Sequence, residues 1–171
     1  MILSGPEIIQ QRRRGNIWIE PFSSDQINPN SYNYRLGNEI IEFGPGLIDP
    51  KQPFKTSRHT ISQHGFVLKP GRIYLAHTLE RIGSLHFVTS LIGRSTMGRL
   101  GLWLQITADL GHMGANHHWT LELKVVQPLR IYAGMQIGQI TFWKVQGHGS
   151  SYQGKYARDT SAEPSRIRFE L

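Results

Sequence analysis

Short stretches in which apolar and polar residues alternate run along most of the chain from Asn16 onward. Turn-forming residues, chiefly Gly, Pro, Asn and Ser, separate them, and no long helical period interrupts the series. The stretches are NIWIEPF, SYNYRLG, HGFVLKPG, RIYLAHTLE, HFVTSLIG, LWLQITA, HWTLELKVV, LRIYAGM and QIGQITFWKV. Strands of this length and spacing predict a mainly β fold, either an antiparallel barrel or a jelly roll.

The opening stretch LSGPEIIQQRRRG departs from this alternation and predicts a short N-terminal helix. Ser4 and Glu7 have the spacing of a capping box, Pro6 suits the first turn, and Gly15 suits the end of the helix. Arg12 to Arg14 then fall in the last turn, where cations interact favourably with the helix dipole.

The chain of 171 residues is predicted to form one domain followed by a polar tail. We place a single β-barrel domain at residues 1–146 and the tail at residues 147–171, where Gly, Ser and basic residues leave little apolar surface to bury. One interpretation of the tail is a frayed end. The other is a flexible lid that becomes ordered over the phosphates of an anionic nucleotide.

Composition narrows the possible functions. The net charge of +7 comes from scattered basic residues, so a small polyphosphate ligand is favoured over nucleic acid. The absence of cysteine excludes disulfides and thiolate zinc sites. His112, His117 and His118 are spaced too irregularly to predict a metal site. Because the sequence has neither a membrane-length apolar run nor a signal-peptide pattern, we expect a cytoplasmic protein with no membrane partner.

The stretch GRSTMGRLG, residues 93–101, is too short and too rich in glycine to predict an ordinary strand. If Ser95 caps a single helical turn, Ser95 and Arg99 share one face, while Arg94 and the free amides lie at the start of the turn. Such a turn suits a phosphate group. The alternative is an ordinary connection whose arginines are solvated or paired.

The stretch HWTLELKVV, residues 118–126, predicts a strand with one apolar and one polar face. The apolar face carries Trp119, Leu121, Leu123 and Val125, and the opposite face carries Thr120, Glu122 and Lys124. Glu122 is then either an ordinary exposed acid beside Lys124 or, if its face lines a pocket, a carboxylate that can shuttle protons.

These stretches together resemble the dCTP deaminase branch of the dUTPase-like superfamily over nearly the whole chain. GRSTMGRLGL is similar to the family signature GRSSLARLGL, SYNYRLG is similar to SYDLRLG, and GMQIGQI and KY…PSR fall where the family has them. The resemblance implies a homotrimer of dUTPase-like, distorted β-barrel subunits with sites between neighbouring chains. It also implies conversion of dCTP to dUTP and ammonia without zinc, in keeping with the missing H-x-E and P-C-x-x-C pattern.

The resemblance further implies roles for individual residues. Glu122 would be the acid and base that takes a proton from the attacking water, Ser95 and the backbone around Ala108 would hold that water, and Arg99 would stabilise developing charge. The implied substrate contacts are Arg94, Ser95 and Thr96 with phosphate; Ile106, Thr120 and Leu121 with base and sugar; Gln139 with the nucleotide; and Tyr152 and Lys155 from the tail. Mg²⁺ is expected to be bound with the nucleotide phosphates.

Four positions depart from the family pattern. His112 stands where a sugar-contacting aspartate is usual, Asn33 replaces the aspartate of SYDLRLG, Gln105 replaces a frequent histidine, and Asp159 stands where a phosphate-contacting glutamine is common. An aspartate in the loop of His112 activates water in relatives that hydrolyse dUTP, so its replacement argues against that activity. An altered preference, for dCMP or a modified cytosine nucleotide, is a further hypothesis.

Three functions therefore compete. The first is deamination of dCTP to dUTP, favoured because Glu122, Ser95 and Arg99 are all present. The second is pyrophosphohydrolysis of dUTP, alone or combined with deamination in a bifunctional enzyme. The third is a non-catalytic trimer that binds nucleotide or nucleic acid through its basic surface, as a sensor or regulator.

Overall fold

The computed structural model describes residues 1–154, 156 and 160–167. Over these residues the chain is mainly β, with twelve strands, two α-helices and one short 3-10 turn at Ser24–Gln26. The elements are α1 (Gly5–Arg13), β1 (Ile17–Glu20), β2 (Tyr32–Arg35), β3 (Glu39–Phe43), β4 (Thr56–Thr60), β5 (Phe66–Leu68), β6 (Ile73–Ser84), β7 (Phe87–Gly93), α2 (Ser95–Gly98), β8 (Leu102–Leu104), β9 (Leu110–Gly111), β10 (Asn116–Val125), β11 (Leu129–Ile131) and β12 (Gln136–Lys144). Within the same ranges, neither helix has the length and apolar character that crossing a bilayer requires.

Helix α1 confirms the prediction for the opening stretch. The Ser4 side chain accepts a hydrogen bond from the Glu7 N–H at 3.4 Å, Pro6 lies in the first turn, and Gly15 has a positive φ of 78° just after the helix. In a full capping box the Glu7 side chain would accept a hydrogen bond from the Ser4 N–H. Here Glu7 Oε1 instead accepts a bond from Gln11 Nε2 at 2.6 Å.

The strands of the described residues form three open sheets, and every strand pair is antiparallel. Six strands form the largest sheet, in the order β4-β3-β6-β10-β8 with β1 also paired to β6. Four strands form the second, β2-β12-β7-β9, and β11 pairs with β5 in the third. The mainly β, antiparallel prediction is confirmed, and each predicted stretch contains a strand. Closure into a dUTPase-like barrel or jelly roll stays a prediction.

Strand β6 contains an irregularity that joins the two larger sheets. Its pairing with β10 shifts between the partners of His118 and Thr120, so that β6 carries extra residues at 78–80. There Glu80, which is fully buried, reaches Arg35 of β2. The Arg35 Nε lies 2.7 Å from Glu80 Oε1, and the Arg35 N–H donates to Glu80 Oε2 at 2.8 Å. This ion pair, whose carboxylate is fully buried and whose guanidinium is partly exposed, therefore ties the six-stranded sheet to the four-stranded sheet.

The neighbours of Glu80 complete this buried polar group. Gln26 Nε2 donates to Glu80 Oε1 at 3.2 Å and to the Asn33 carbonyl. Burial, and secondarily the charge of Glu80, raises the pKa of Tyr34 well above its usual value. The tyrosine thus stays neutral beside the carboxylate, and Arg35 alone supplies the compensating charge in this group.

Candidate active site

A cavity of about 500 Å³ opens beside strand β10. Its walls come from β10, from the segment that joins β8 to β10, from the edge formed by β3 and β6, and from the tail. The described residues that line it are Phe43, Ile73, Leu75, Gln105, Ala108, Leu110, Gly111, His112, Ala115, His117, Trp119, Thr120, Glu122, Tyr152, Tyr156, Glu163 and Ser165. Apolar atoms make up most of the cavity surface and polar side chains reach it at several points, a combination typical of a small-molecule site.

Glu122 lines this cavity from β10. Leu121 and Leu123 on either side of it are fully buried, as the predicted apolar face requires. Trp119, predicted on the same apolar face, packs against the core but also lines the cavity, beside the register shift between His118 and Thr120. Lys124 shares the face of Glu122 but is exposed outside the cavity, with its Nζ 5.9 Å from the centre of the Trp103 ring. Of the two predicted alternatives, the structure therefore favours a carboxylate in a pocket over an ordinary surface acid.

Gln105 holds the backbone of Glu122 at the edge of the cavity. The Gln105 N–H donates to the Glu122 carbonyl at 3.0 Å, and the Glu122 N–H donates to Gln105 Oε1 at 2.8 Å. Gln105 Nε2 also donates to the Ala108 carbonyl at 3.2 Å. In the sequence Gln105 is marked only as a departure from the family pattern, and nothing in that pattern indicates these bonds.

His112 and Tyr152 meet on another wall of the cavity. Their rings stack with centroids 5.4 Å apart and planes 28° apart, and the Tyr152 N–H donates to the Met113 carbonyl at 2.8 Å. His112 itself is exposed toward solvent. Two residues implied by the same resemblance, one from a loop and one from the tail, are therefore brought together.

The described part of the tail crosses the cavity at Thr120. The Glu163 N–H donates to Thr120 Oγ1 at 3.1 Å, and Ala162 is fully buried against Ile41 and Leu75. Glu163 also pairs with Arg58 at 3.4 Å. The remaining predicted tail residues, Lys155 and Asp159, lie outside the described residues, and the boundary between a 1–146 domain and a lid stays a prediction.

The arginine turn, residues 94–99, lies apart from these walls. Its helical cap is Arg94, so the prediction that Ser95 caps the turn is wrong by one residue, and Ser95 is instead the first residue of α2. The Arg99 N–H donates to the Ser95 carbonyl at 3.0 Å, which confirms their i, i+4 relation. Buried Met97 anchors the turn, and Ser95, Thr96 and Arg99 are exposed.

Gln139 braces the start of this turn and does not line the cavity. Its Oε1 accepts a bond from the Ser31 hydroxyl at 2.6 Å, and its Nε2 donates to the Gly93 carbonyl at 3.2 Å. Arg94 is held similarly, because its Nη1 donates to the Gln136 carbonyl at 3.1 Å. Strand β12 thus fixes the turn on the four-stranded sheet.

The structure divides the predicted site residues into two groups. Ala108, His112, Thr120, Glu122 and Tyr152 share the cavity, whereas Arg94, Ser95, Thr96, Arg99 and Gln139 belong to the turn and its brace. The other two predicted contacts join neither wall: Ile106 is exposed beside the cavity, and the side chain of Leu121 is packed in the core.

The histidine and acidic side chains around the cavity are the candidate metal ligands. The described ranges hold no cluster of three or more His, Asp or Glu side chains placed to bind an ion. His118 Nδ1 lies 3.0 Å from the Thr78 carbonyl and its ring meets His77 edge-on, away from His112. Zinc-free chemistry and Mg²⁺ bound with phosphates both stay predictions.

Comparison with known proteins gives a consistent result. A family model described as dCTP deaminase-like matches residues 2–145. Three relatives named dCTP deaminase, dUMP-forming, align over 168 residues: one from Hathewaya histolytica at 45% identity (98% of this chain, 97% of the relative), one from Clostridium acetobutylicum at 43% (98% and 96%), and one from Leptospira biflexa serovar Patoc at 41% (98% and 96%).

A solved structure supports the fold. The crystal structure of 2'-deoxycytidine 5'-triphosphate deaminase from Agrobacterium tumefaciens superposes with a TM-score of 0.65 at 22% identity. The match covers 82% of this chain and 47% of that chain, so this chain spans about half the length of that protein. At this identity the similarity concerns the fold alone.

Proposed function

Because this chain belongs to the dCTP deaminase-like family, we propose that it deaminates dCTP and releases dUMP, ammonia and pyrophosphate. The observation that carries the proposal is the position of Glu122 in the cavity. The product predicted from sequence, dUTP, disagrees with the relatives, which are named dUMP-forming. Combined deamination and phosphate hydrolysis, the bifunctional alternative, therefore replaces formation of dUTP. His112 in place of the loop aspartate is then compatible with phosphate hydrolysis.

Glu122 is the proposed acid and base of the deamination. It takes one proton from a water as the water oxygen bonds to C4 of cytosine and delivers that proton to N3, where it stays. It then takes the second proton, from the new C4 hydroxyl, and delivers it to the exocyclic amine as the C4 carbonyl forms. The C4–N bond then breaks and ammonia leaves. The carbonyl of Ala108 accepts one bond from Gln105 and has a second lone pair, which suits it to hold that water.

A second water completes the proposed reaction at the phosphates. It attacks the α-phosphorus, the bond between the α-phosphorus and the bridging oxygen breaks, and pyrophosphate leaves. His112 lies on the cavity wall in the loop where other superfamily members carry an aspartate, and a neutral imidazole can accept the proton of this water. Two waters are consumed for each dCTP.

The remaining contacts follow the sequence-based assignments. The backbone of Ile106, Thr120 and Leu121 approaches base and sugar, Arg94 and Thr96 bind phosphate with Lys155 of the tail, and residues 147–171 close over them. Mg²⁺ arrives with the triphosphate, because this ion keeps phosphate oxygens among its ligands. If Asp159 contacts the phosphates as the resemblance implies, that ion offsets the repulsion between its carboxylate and the phosphates. We place this activity in the cytoplasm.

Product analysis tests the proposed function. We expect the purified protein, supplied with dCTP and Mg²⁺, to form ammonia, dUMP and pyrophosphate in equal amounts, measured by coupled ammonia assay and ion-exchange chromatography. Parallel reactions with dCMP and dUTP serve as controls for substrate choice. Accumulation of dUTP without pyrophosphate would restrict the enzyme to deamination, and binding of dCTP without turnover would leave a nucleotide-binding trimer.

We further propose that the active unit is a homotrimer in which the arginine turn of one chain completes the cavity of its neighbour. Within one chain, Ser95 and Arg99 are exposed and lie outside the described cavity walls. We assign Ser95 to holding the attacking water and Arg99 to stabilising developing charge, so both must lie beside Glu122. A second copy of the chain supplies them without any change in the fold.

Mixed trimers test this arrangement. Chains carrying Glu122→Gln and chains carrying Arg99→Ala, each nearly inactive alone, are co-expressed with different tags and purified over both. In a ring of two chains of one kind and one of the other, about one site in three combines an intact Glu122 with an intact Arg99, so about one third of wild-type ammonia release is expected. Mixed trimers that stay as inactive as either parent would place both residues in the same chain.

A further inference from the structure

Gln105 has an unusual backbone conformation at the edge of the proposed active site. Among the described residues it is the only one other than glycine in the left-handed region, with a φ of 51°. A Cβ makes this region unfavourable, and glutamine is not among the residues that commonly enter it. Such a conformation persists where surrounding contacts determine it, and these positions are concentrated at functional sites.

The contacts that determine it all lead to the proposed catalytic groups. Strand β8 ends at Leu104, which pairs with Leu123 of β10. Gln105, the next residue, continues the contact with β10 after strand pairing has ended. Its side-chain Oε1 accepts a hydrogen bond from the Glu122 N–H, and its backbone N–H donates to the Glu122 carbonyl. The peptide groups on both sides of the Glu122 Cα are thus bound by one residue.

The same amide controls the proposed water site. Gln105 Nε2 donates to the carbonyl of Ala108, three residues further along the chain. The amide oxygen accepts from the Glu122 N–H and the amide nitrogen donates to the Ala108 carbonyl. One planar group therefore sets the distance between the Glu122 backbone and the Ala108 carbonyl. A carboxylate at this position has no donor, and a thioether has neither a strong donor nor a strong acceptor.

We propose that Gln105 is a positioning residue that fixes the Glu122 carboxylate against the water held at Ala108. This inference rests on the proposed deamination. The left-handed backbone of Gln105 is what lets its side chain fold back onto Glu122, and the unfavourable conformation is maintained by the three hydrogen bonds of this one residue.

Replacing Gln105 by glycine separates positioning from folding. Glycine adopts a φ of 51° without strain, so Gln105→Gly is expected to be at least as resistant to thermal unfolding as the wild type. Loss of the amide is expected to lower kcat for ammonia release about 10- to 100-fold with little change in KM. Gln105→Glu, which keeps only the acceptor, is expected to lose kcat as well. Gln146→Gly, at an exposed position after β12, is the control and keeps wild-type kinetics.

A double variant provides the decisive measurement. If Gln105 acts through Glu122, adding Gln105→Gly to Glu122→Gln is expected to leave the residual rate unchanged, because the carboxylate that it positions is gone. Independent, multiplicative losses would overturn the inference, as would wild-type kcat in Gln105→Gly. Absence of ammonia release by the wild-type protein would instead overturn the proposed function, and the inference with it.

Discussion

Glu122→Gln is expected to lower kcat for ammonia release from dCTP by about 1,000-fold, within the usual contribution of a general acid and base. Glutamine has nearly the same shape as glutamate but cannot take a proton from the attacking water. Its backbone bonds to Gln105 do not involve the carboxylate, so folding is expected to be unaffected. Binding of dCTP, measured by isothermal titration calorimetry, is expected to stay within a few-fold of wild type.

Lys124→Gln is the matched control for this variant. Lys124 is two residues further along β10, on the same face as Glu122, and it is exposed outside the cavity. The same change to a neutral amide there is expected to leave ammonia release unchanged. Full activity of Glu122→Gln, or an equal loss in both variants, would contradict the assignment of Glu122 as the proton carrier.

Glu80→Ala is expected to lower the free energy of unfolding by about 3 kcal/mol, the lower end of what removing one partner of a buried ion pair costs. The variant leaves Arg35 without its counter-charge, and it removes the acceptor of both the Arg35 N–H and Gln26 Nε2. Urea denaturation at one fixed protein concentration measures the effect, because the proposed trimer assembly would make apparent stability depend on concentration.

Glu39→Ala serves as the matched control for Glu80→Ala. Glu39 pairs with Arg58 at 3.4 Å on the surface, where the Arg58 side chain is 43% exposed and the Glu39 side chain is 34% exposed. An exposed pair contributes about 0–1 kcal/mol, so the control is expected to unfold almost as the wild type does. Similar small losses in both variants would show that Glu80 is not the tie between sheets that its burial indicates.

The elements with strong local patterns could be predicted from the sequence. Ser4 and Gly15 determine where α1 begins and ends, and they act within a few residues along the chain. The alternation in β10 correctly separated the face of Leu121 from the face of Glu122, because period-two patterning follows directly from strand geometry. Both features depend on short-range physics that a single sequence contains.

The strands that sequence analysis missed lack that pattern. β4, Thr56–Thr60, is polar and largely exposed, and β9 has only two residues. Strand β3, Glu39–Phe43, contains two adjacent buried isoleucines, Ile40 and Ile41, which break the alternation. These strands are defined by their partners across the sheet, and pairing of that kind is not visible in local composition.

The arrangement of the site was the hardest part to predict. A positive φ at Gln105 has no sequence signal, since glycine and asparagine are the residues that usually indicate it. The contacts of Glu163 and Tyr152 depend on how a polar tail returns to the domain, where Ala162 is buried against Ile41 and Leu75. The separation of the arginine turn from the cavity becomes visible only once both are placed on their sheets.

That separation gives the Glu80–Arg35 pair a significance beyond stability. Glu122 is carried by the six-stranded sheet, whereas the arginine turn follows β7 of the four-stranded sheet. In the proposed trimer, each site would combine Glu122 of one subunit with the arginine turn of its neighbour. The alignment of the two sheets within each subunit would then determine the gap between Glu122 and the arginine turn at every site. A displacement of about 1 Å in such a gap can slow a reaction about 100-fold. An ion pair that does not contact the nucleotide would then affect the rate of nucleotide turnover.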